Sequence, residues 1–141
     1  MNISYSGIVL TDDSQQNLVA SLIDMIPPDW EIVAHHMTIC LGPLVHPTKA
    51  SHNYSDFGVP GTPYDLRVTA IGASEKAMAV MVDSPFPTQN EQKGGFAHIT
   101  IAVNRAAGGK PFDSNKIALA NFEDISNRNL IVKGHVEEVP Q

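Results

Sequence analysis

Three short segments of this 141-residue chain set a histidine two positions before a threonine, and two of them, His36-Met37-Thr38 and His98-Ile99-Thr100, lie in apolar runs, while His46-Pro47-Thr48 lies in a stretch without periodicity. Cleaving a phosphodiester takes a base to remove a proton from the attacking hydroxyl and an acid to supply one to the leaving oxygen. Imidazole suits both tasks near neutral pH. Two imidazoles flanking one phosphate can divide the work, while two threonine hydroxyls donate to the nonbridging oxygens and steady the charge that develops there. Such chemistry calls for no metal and no other cofactor. Six His and seven Thr in random order give roughly a third of one such spacing in a chain of this length, so a single match would carry little. The weight rests on the two matches that share an apolar setting and the same layout, not on the count of three.

The elements that must position these groups are strands. Side chains alternate faces along a strand, so His36, Thr38 and Cys40 are expected on one face, opposite Met37, Ile39 and Leu41. In the same way His98 and Thr100 share a face opposite Ala97, Ile99, Ile101 and Val103. By this parity His35 points away from His36 and is set aside as a structural histidine, and Cys40 is read as a small buried residue rather than a nucleophile.

Along the rest of the chain, residues 3–10 read as a strand, followed by a helix from about residue 13 to Ile26 with Leu18, Leu22 and Ile26 on one face, stopped by Pro27-Pro28. An extended stretch runs from Trp30 through His35 and His36 to Leu41. Residues 44–63 lack periodicity and are expected to form a long loop at the rim of the site. Residues 64–73 and 76–82 read as a hairpin, 84–95 as a second loop in which Gly94-Gly95 could hinge a lid, and 96–103 as the second His-containing strand. A loop over 104–115, a short helical turn over 117–122 and a closing strand over 129–139 complete the order. This pattern predicts one α+β domain over 1–141, with a mainly antiparallel sheet.

Composition limits the partners. With 43% hydrophobic and 17% charged residues the chain reads as an ordinary soluble globular protein. The single Cys40 permits no internal disulfide and no thiolate metal cage. Its presence alone, with no export leader or apolar run long enough to span a bilayer, leads to the expectation of a cytoplasmic protein without a membrane partner. His46 and His52 match no compact zinc-ligand spacing, and Lys110 after Gly108-Gly109 lacks the remainder of a phosphate-loop motif. The net charge is −6, and the nine Lys and Arg form no basic stripe. A long nucleic acid is therefore an unfavourable partner, and a small nucleotide a favourable one.

Paired His-x-Thr strands separated by an insert that contains a hairpin resemble the two-histidine phosphoesterase superfamily, which includes LigT-like RNA cyclic phosphodiesterases. The resemblance covers nearly the whole chain and implies a bilobal, pseudo-twofold, mainly antiparallel α+β fold with helices packed outside, and His36, Thr38, His98 and Thr100 as its catalytic positions. The segments Tyr5-Ser6-Gly7-Ile8-Val9-Leu10, His35-His36-Met37-Thr38-Ile39 and Gly109-Lys110-Pro111-Phe112-Asp113-Ser114-Asn115 are similar to the phage anti-CBASS phosphodiesterases. That branch degrades cyclic di- and trinucleotide signals that trigger bacterial defence, which would place this chain in the host cytoplasm. There an aromatic residue near the start of the chain stacks on a base, a part for which Tyr5 is the counterpart. Residues 122–128 lack the tryptophan of that branch. Asn115 suits either a turn or the edge of a base and is a second substrate-binding candidate. The resemblance implies a metal-independent, cofactor-free hydrolase of 3′,5′-linked cyclic nucleotides, and the chain is expected to be a monomer or weak homo-oligomer. Trimming of RNA ends that carry a 2′,3′-cyclic phosphate, or nucleotide sequestration without turnover, are the alternatives.

Overall fold

The computed structural model describes residues 2–141. The first strand, β1 (Ile3–Leu10), leads into the helix α1 (Asp12–Leu22). The Thr11 side chain caps that helix by accepting from the Ser14 amide, and Asp12 and Asp13 lie in its first turn, at the positive end of the helix dipole. The helix ends four residues before the predicted Ile26. Met25 N donates to Leu22 O in a tighter turn, which leaves Ile23 exposed and carries Ile26 back into the core ahead of Pro27-Pro28.

Next come β2 (Glu31–Ile32) and β3 (His36–Leu41), then β4 (Pro63–Ala73) and β5 (Ala77–Val82), which form the expected hairpin. A single-turn helix α2 (Gln89–Gln92) precedes β6 (His98–Val103), and β7 (Phe122–Asp124) and β8 (Ile131–Pro140) complete the chain. Between β6 and β8 the backbone winds through four short 3₁₀ turns, at 105–107, 111–116, 119–121 and 126–128.

All eight strands belong to one antiparallel sheet, so the α+β, mainly antiparallel expectation holds, with α1 the one helix of any length among the described residues. The strand order β3-β1-β8-β4-β5-β6 closes on itself, because β6 also pairs with β3 through Met37 and Ile99. Read outward from that seam, β1 then β8 on one side match β5 then β4 on the other. The fully buried Met37, Ile39, Ile99 and Ile101 join Ile8, Leu66, Val68, Val80 and Val136 in one core, which Leu18 and Leu22 of α1 also enter. Burying a side chain of that size contributes about 1.5–3 kcal/mol, so the apolar faces of the two His-containing strands anchor them firmly. No helix among the described residues is long and apolar enough to cross a membrane.

Candidate active site

The seam between β3 and β6 is where the two motifs meet. Met37 pairs with Ile99 in an antiparallel ladder, a register that puts His36 across from Thr100 and Thr38 across from His98. Each histidine thus faces the other motif's threonine, and all four side chains line one cavity of about 660 Å³. On the outer edges the same regularity recurs. Against β1, Gly7 pairs with Thr38 and Ser6 with Cys40, so Ile39 is an extra residue; against β5, Ala79 pairs with Thr100 and Met78 with Ala102, so Ile101 is an extra residue. Each threonine is therefore followed by a bulge, which re-aims the strand beyond it.

The first bulge corrects the parity expected from sequence. Beyond Ile39 the alternation slips, so Cys40 is fully buried in the core and Leu41 takes the outward position in the cavity wall, 62% exposed. Burial pushes the Cys40 thiol up to about 11, consistent with an inert core residue.

A second irregularity corrects the reading of His35. Glu31 and Ile32 of β2 pair with Val103 and Ala102, a register two residues out of step with the Met37–Ile99 pair. The slip is absorbed at Ala34, a buried residue with φ +42°, a left-handed conformation that non-glycine residues seldom adopt. His35 is thereby turned to the same side as His36 and lines the cavity, with its Nδ1 2.9 Å from the Nδ1 of His36. The expected extended stretch is in fact two strands with this break between them.

His36 is held on several sides. The ring of Tyr5 stacks on it at 4.4 Å between centroids, and its Nε2 lies 3.1 Å from the Thr38 hydroxyl. Gly7 makes this packing feasible, since a Cβ there would stand 2.8 Å from the Met37 carbonyl and 3.3 Å from the His36 ring. Burial, and next the neighbouring His35 and His98, push the His36 pKa down to about 4. His98, only 8% exposed, donates from Nδ1 to the Phe96 carbonyl at 3.1 Å, which leaves its Nε2 as the lone-pair nitrogen. Burial lowers its pKa as well, against the opposing effect of that bond. Both imidazoles are accordingly neutral at pH 7. Thr100 is braced from the chain after β6: its hydroxyl lies 2.7 Å from that of the buried Ser114 and donates to the Pro111 carbonyl at 3.3 Å.

The remaining walls come from two segments. Gln89, Asn90, Lys93, Gly94 and Gly95 form one, and Pro111, Phe112 and Asn115 another. The first is fixed rather than loose: Thr88 and Glu91 form a capping box on α2, Gln89 accepts from the Leu41 amide, and Gln92 accepts from the Tyr54 hydroxyl. Residues 44–63, expected at the rim, supply none of the lining. Leu44, Tyr54 and Phe57 are buried in the core, and Tyr54 reaches the site only through α2. Asn115 does line the cavity, its amide nitrogen donating to the Phe112 carbonyl, whereas Tyr5 lies behind His36 and is not part of the lining. Sequence reasoning passed over Phe112, a 66% exposed aromatic ring on the cavity wall with the Lys116 ammonium 5.6 Å from its centre. An exposed phenylalanine among the polar residues of 110–116 was the available signal.

In a chain of net charge −6 the lining holds three histidines and Lys93 and no carboxylate, so the cavity suits an anion. Among the described residues no group of three or more His, Cys, Asp or Glu side chains is placed to hold a metal ion. No family model matches the chain, and no curated protein sequence matches it.

Proposed function

We propose that this protein is a metal-independent phosphodiesterase of the two-histidine type that opens 3′,5′-linked cyclic di- or trinucleotides. The observation that carries the reading is the convergence of two His/Thr pairs, each histidine across from the other threonine, on one cavity free of carboxylates. The balanced strand order about the β3–β6 seam, with a bulge after each threonine, supports a pseudo-twofold fold of the LigT-like kind over the whole of 1–141.

The hydrogen bonding divides the roles. With Nδ1 donated to Phe96, neutral His98 offers the Nε2 lone pair to the ribose 2′-hydroxyl beside the scissile phosphate. As that proton moves to His98, the 2′-oxygen bonds to phosphorus and the bond to the 5′-oxygen breaks, with His36 Nε2–H protonating the departing oxygen. The Thr38 and Thr100 hydroxyls, already within the cavity, turn from their protein partners to the nonbridging oxygens. The product is a linear nucleotide with a 2′,3′-cyclic end, which water opens with the two histidines exchanging roles. Phe112, exposed on the cavity wall, is the aromatic group of the lining and the one to meet a base, while Tyr5 backs the His36 ring.

Incubation with cyclic dinucleotides, cyclic trinucleotides and RNA ending in a 2′,3′-cyclic phosphate, in excess chelator, tests this. The cyclic nucleotides are expected to be linearised at undiminished rate, and His36→Ala or His98→Ala to stop cleavage while binding persists. Turnover of the RNA end alone would make this an RNA-processing enzyme, and tight binding without cleavage a sequestering protein. Loss of all turnover with chelator would defeat the mechanism. In a phage-infected bacterium such an activity would remove a cyclic-nucleotide alarm signal.

A further inference from the structure

The general-acid role leaves a difficulty that His35 resolves. His36 must deliver a proton, yet its burial makes the imidazolium unfavourable. It is enclosed by Tyr5 on its face, Thr38 at Nε2 and His35 at Nδ1, and of these only His35 is a second imidazole, with a ring nitrogen that can hold or accept a proton at this contact. His35 is also exposed, where a charge costs less than on the buried ring. The Nδ1–Nδ1 separation of 2.9 Å is a hydrogen bond that needs one proton between two lone pairs. The left-handed Ala34 turns His35 toward its neighbour.

We propose that His35 is the positioning residue of the acid, holding the extra proton of the His35–His36 pair at the surface and passing it through Nδ1 as His36 gives up its Nε2 proton. This rests on the reading of His36 as the general acid. The protons balance. Before reaction His35 carries a proton on both nitrogens and donates from Nδ1 to the bare Nδ1 of a neutral, Nε2-protonated His36. As the Nε2 proton leaves with the 5′-oxygen, the shared proton crosses to His36 Nδ1 and His35 becomes neutral. In the opening of the cyclic phosphate, His36 Nε2 takes a proton from water and the shared proton returns to His35, which restores the starting state. Other titratable or charged groups facing the pair are His98 across the seam, Lys93 on the far wall, the Tyr5 phenol at 3.4 Å from His36 Nδ1, and Glu137, which acts on Tyr5 from β8.

The test compares wild type with His35→Ala and His35→Asn, by turnover of a 3′,5′ cyclic dinucleotide and by histidine nitrogen NMR across pH. We expect His35→Ala to lose about 10–100-fold in kcat with KM and melting temperature little changed, and added imidazole to restore part of the rate. His35→Asn, which can accept from Nδ1 but cannot relay, should show the same loss. In the wild-type spectra the Nδ1 signals of His35 and His36 should move together over one pH range, and the His36 titration should shift in His35→Ala. An unchanged His36 titration in that variant would overturn the proposal. So would a kcat and pH profile matching wild type, or a loss that imidazole leaves untouched. The NMR readout needs no turnover, so an inactive wild type would defeat the phosphodiesterase reading and leave the proton-sharing pair to be judged separately.

Discussion

The chemistry of the site turns on what burial does to single imidazoles. His36 has its pKa moved from an ordinary 6.5 to about 4 by burial and by its two histidine neighbours. Between those values the unfolded chain binds a proton at this position that the folded chain refuses. Stability therefore rises with pH across that window and is lost as pH falls through it. The shift corresponds to about 3 kcal/mol, a large part of the stability of a domain this size. His36→Asn, which cannot titrate, should flatten the denaturant midpoint between pH 4 and 6.5 relative to wild type. The check is a set of unfolding curves at half-unit pH steps, and parallel pH profiles for the two proteins would contradict the burial argument. The same residue shows how a local rule can succeed and fail side by side. That each histidine shares a face with its own threonine was legible because each pair spans only two residues of regular strand. The position of His35 was not legible, because the left-handed Ala34 and the two-residue register slip between β2 and β3 depend on pairing with β6, some seventy positions along the chain.

At the level of elements, the site is made by strands whose regularity is interrupted at matching points. The bulges at Ile39 and Ile101 let each threonine sit on the cavity face while the next residues turn back into the core. The small residues opposite the threonines, Gly7 on β1 and Ala79 on β5, differ in what they can tolerate. At Gly7 a methyl would meet the Met37 carbonyl at 2.8 Å, and that carbonyl is part of the strand carrying His36 and Thr38. Gly7→Ala should therefore push β3 outward, costing about 1–3 kcal/mol as overpacking does. If the proposed phosphodiesterase reading holds, it should also lower kcat, because the acid and threonine groups assigned to the phosphate would be misplaced. Chemical denaturation together with steady-state kinetics checks both effects; a stable, fully active variant would show that β3 has room to move. Strands, the hairpin and the capped helix were readable from periodicity, proline and cap residues. The bulges were not, since they exist only in the pairing of two strands, and Cys40 and Leu41 exchanged their expected faces in consequence. Residues 44–63 were misplaced for a related reason: their aperiodic sequence hid three core residues, Leu44, Tyr54 and Phe57, which bind the segment to the body of the protein.

For the molecule as a whole, charge is distributed so that ligand size matters. The surface is net acidic at −6, yet the cavity is lined by His35, His36, His98 and Lys93 with no carboxylate among its residues. A compact anion that enters the cavity meets only the favourable part of this field. A long polyanion must also lie along the acidic exterior, where no basic stripe releases its counterions. Binding of a small cyclic nucleotide should thus depend only weakly on salt, in keeping with few phosphate contacts, and a large mass excess of single-stranded RNA should leave its turnover unchanged. Reversing the one lysine of the lining isolates the cavity term from the net charge: Lys93→Glu should raise KM about tenfold or more, since it removes one attraction and adds one repulsion. Lys49→Glu, which changes the net charge equally from outside the lining, should leave KM near wild type. Equal effects from both reversals, or strong competition by RNA, would mean that the exterior rather than the cavity selects the ligand.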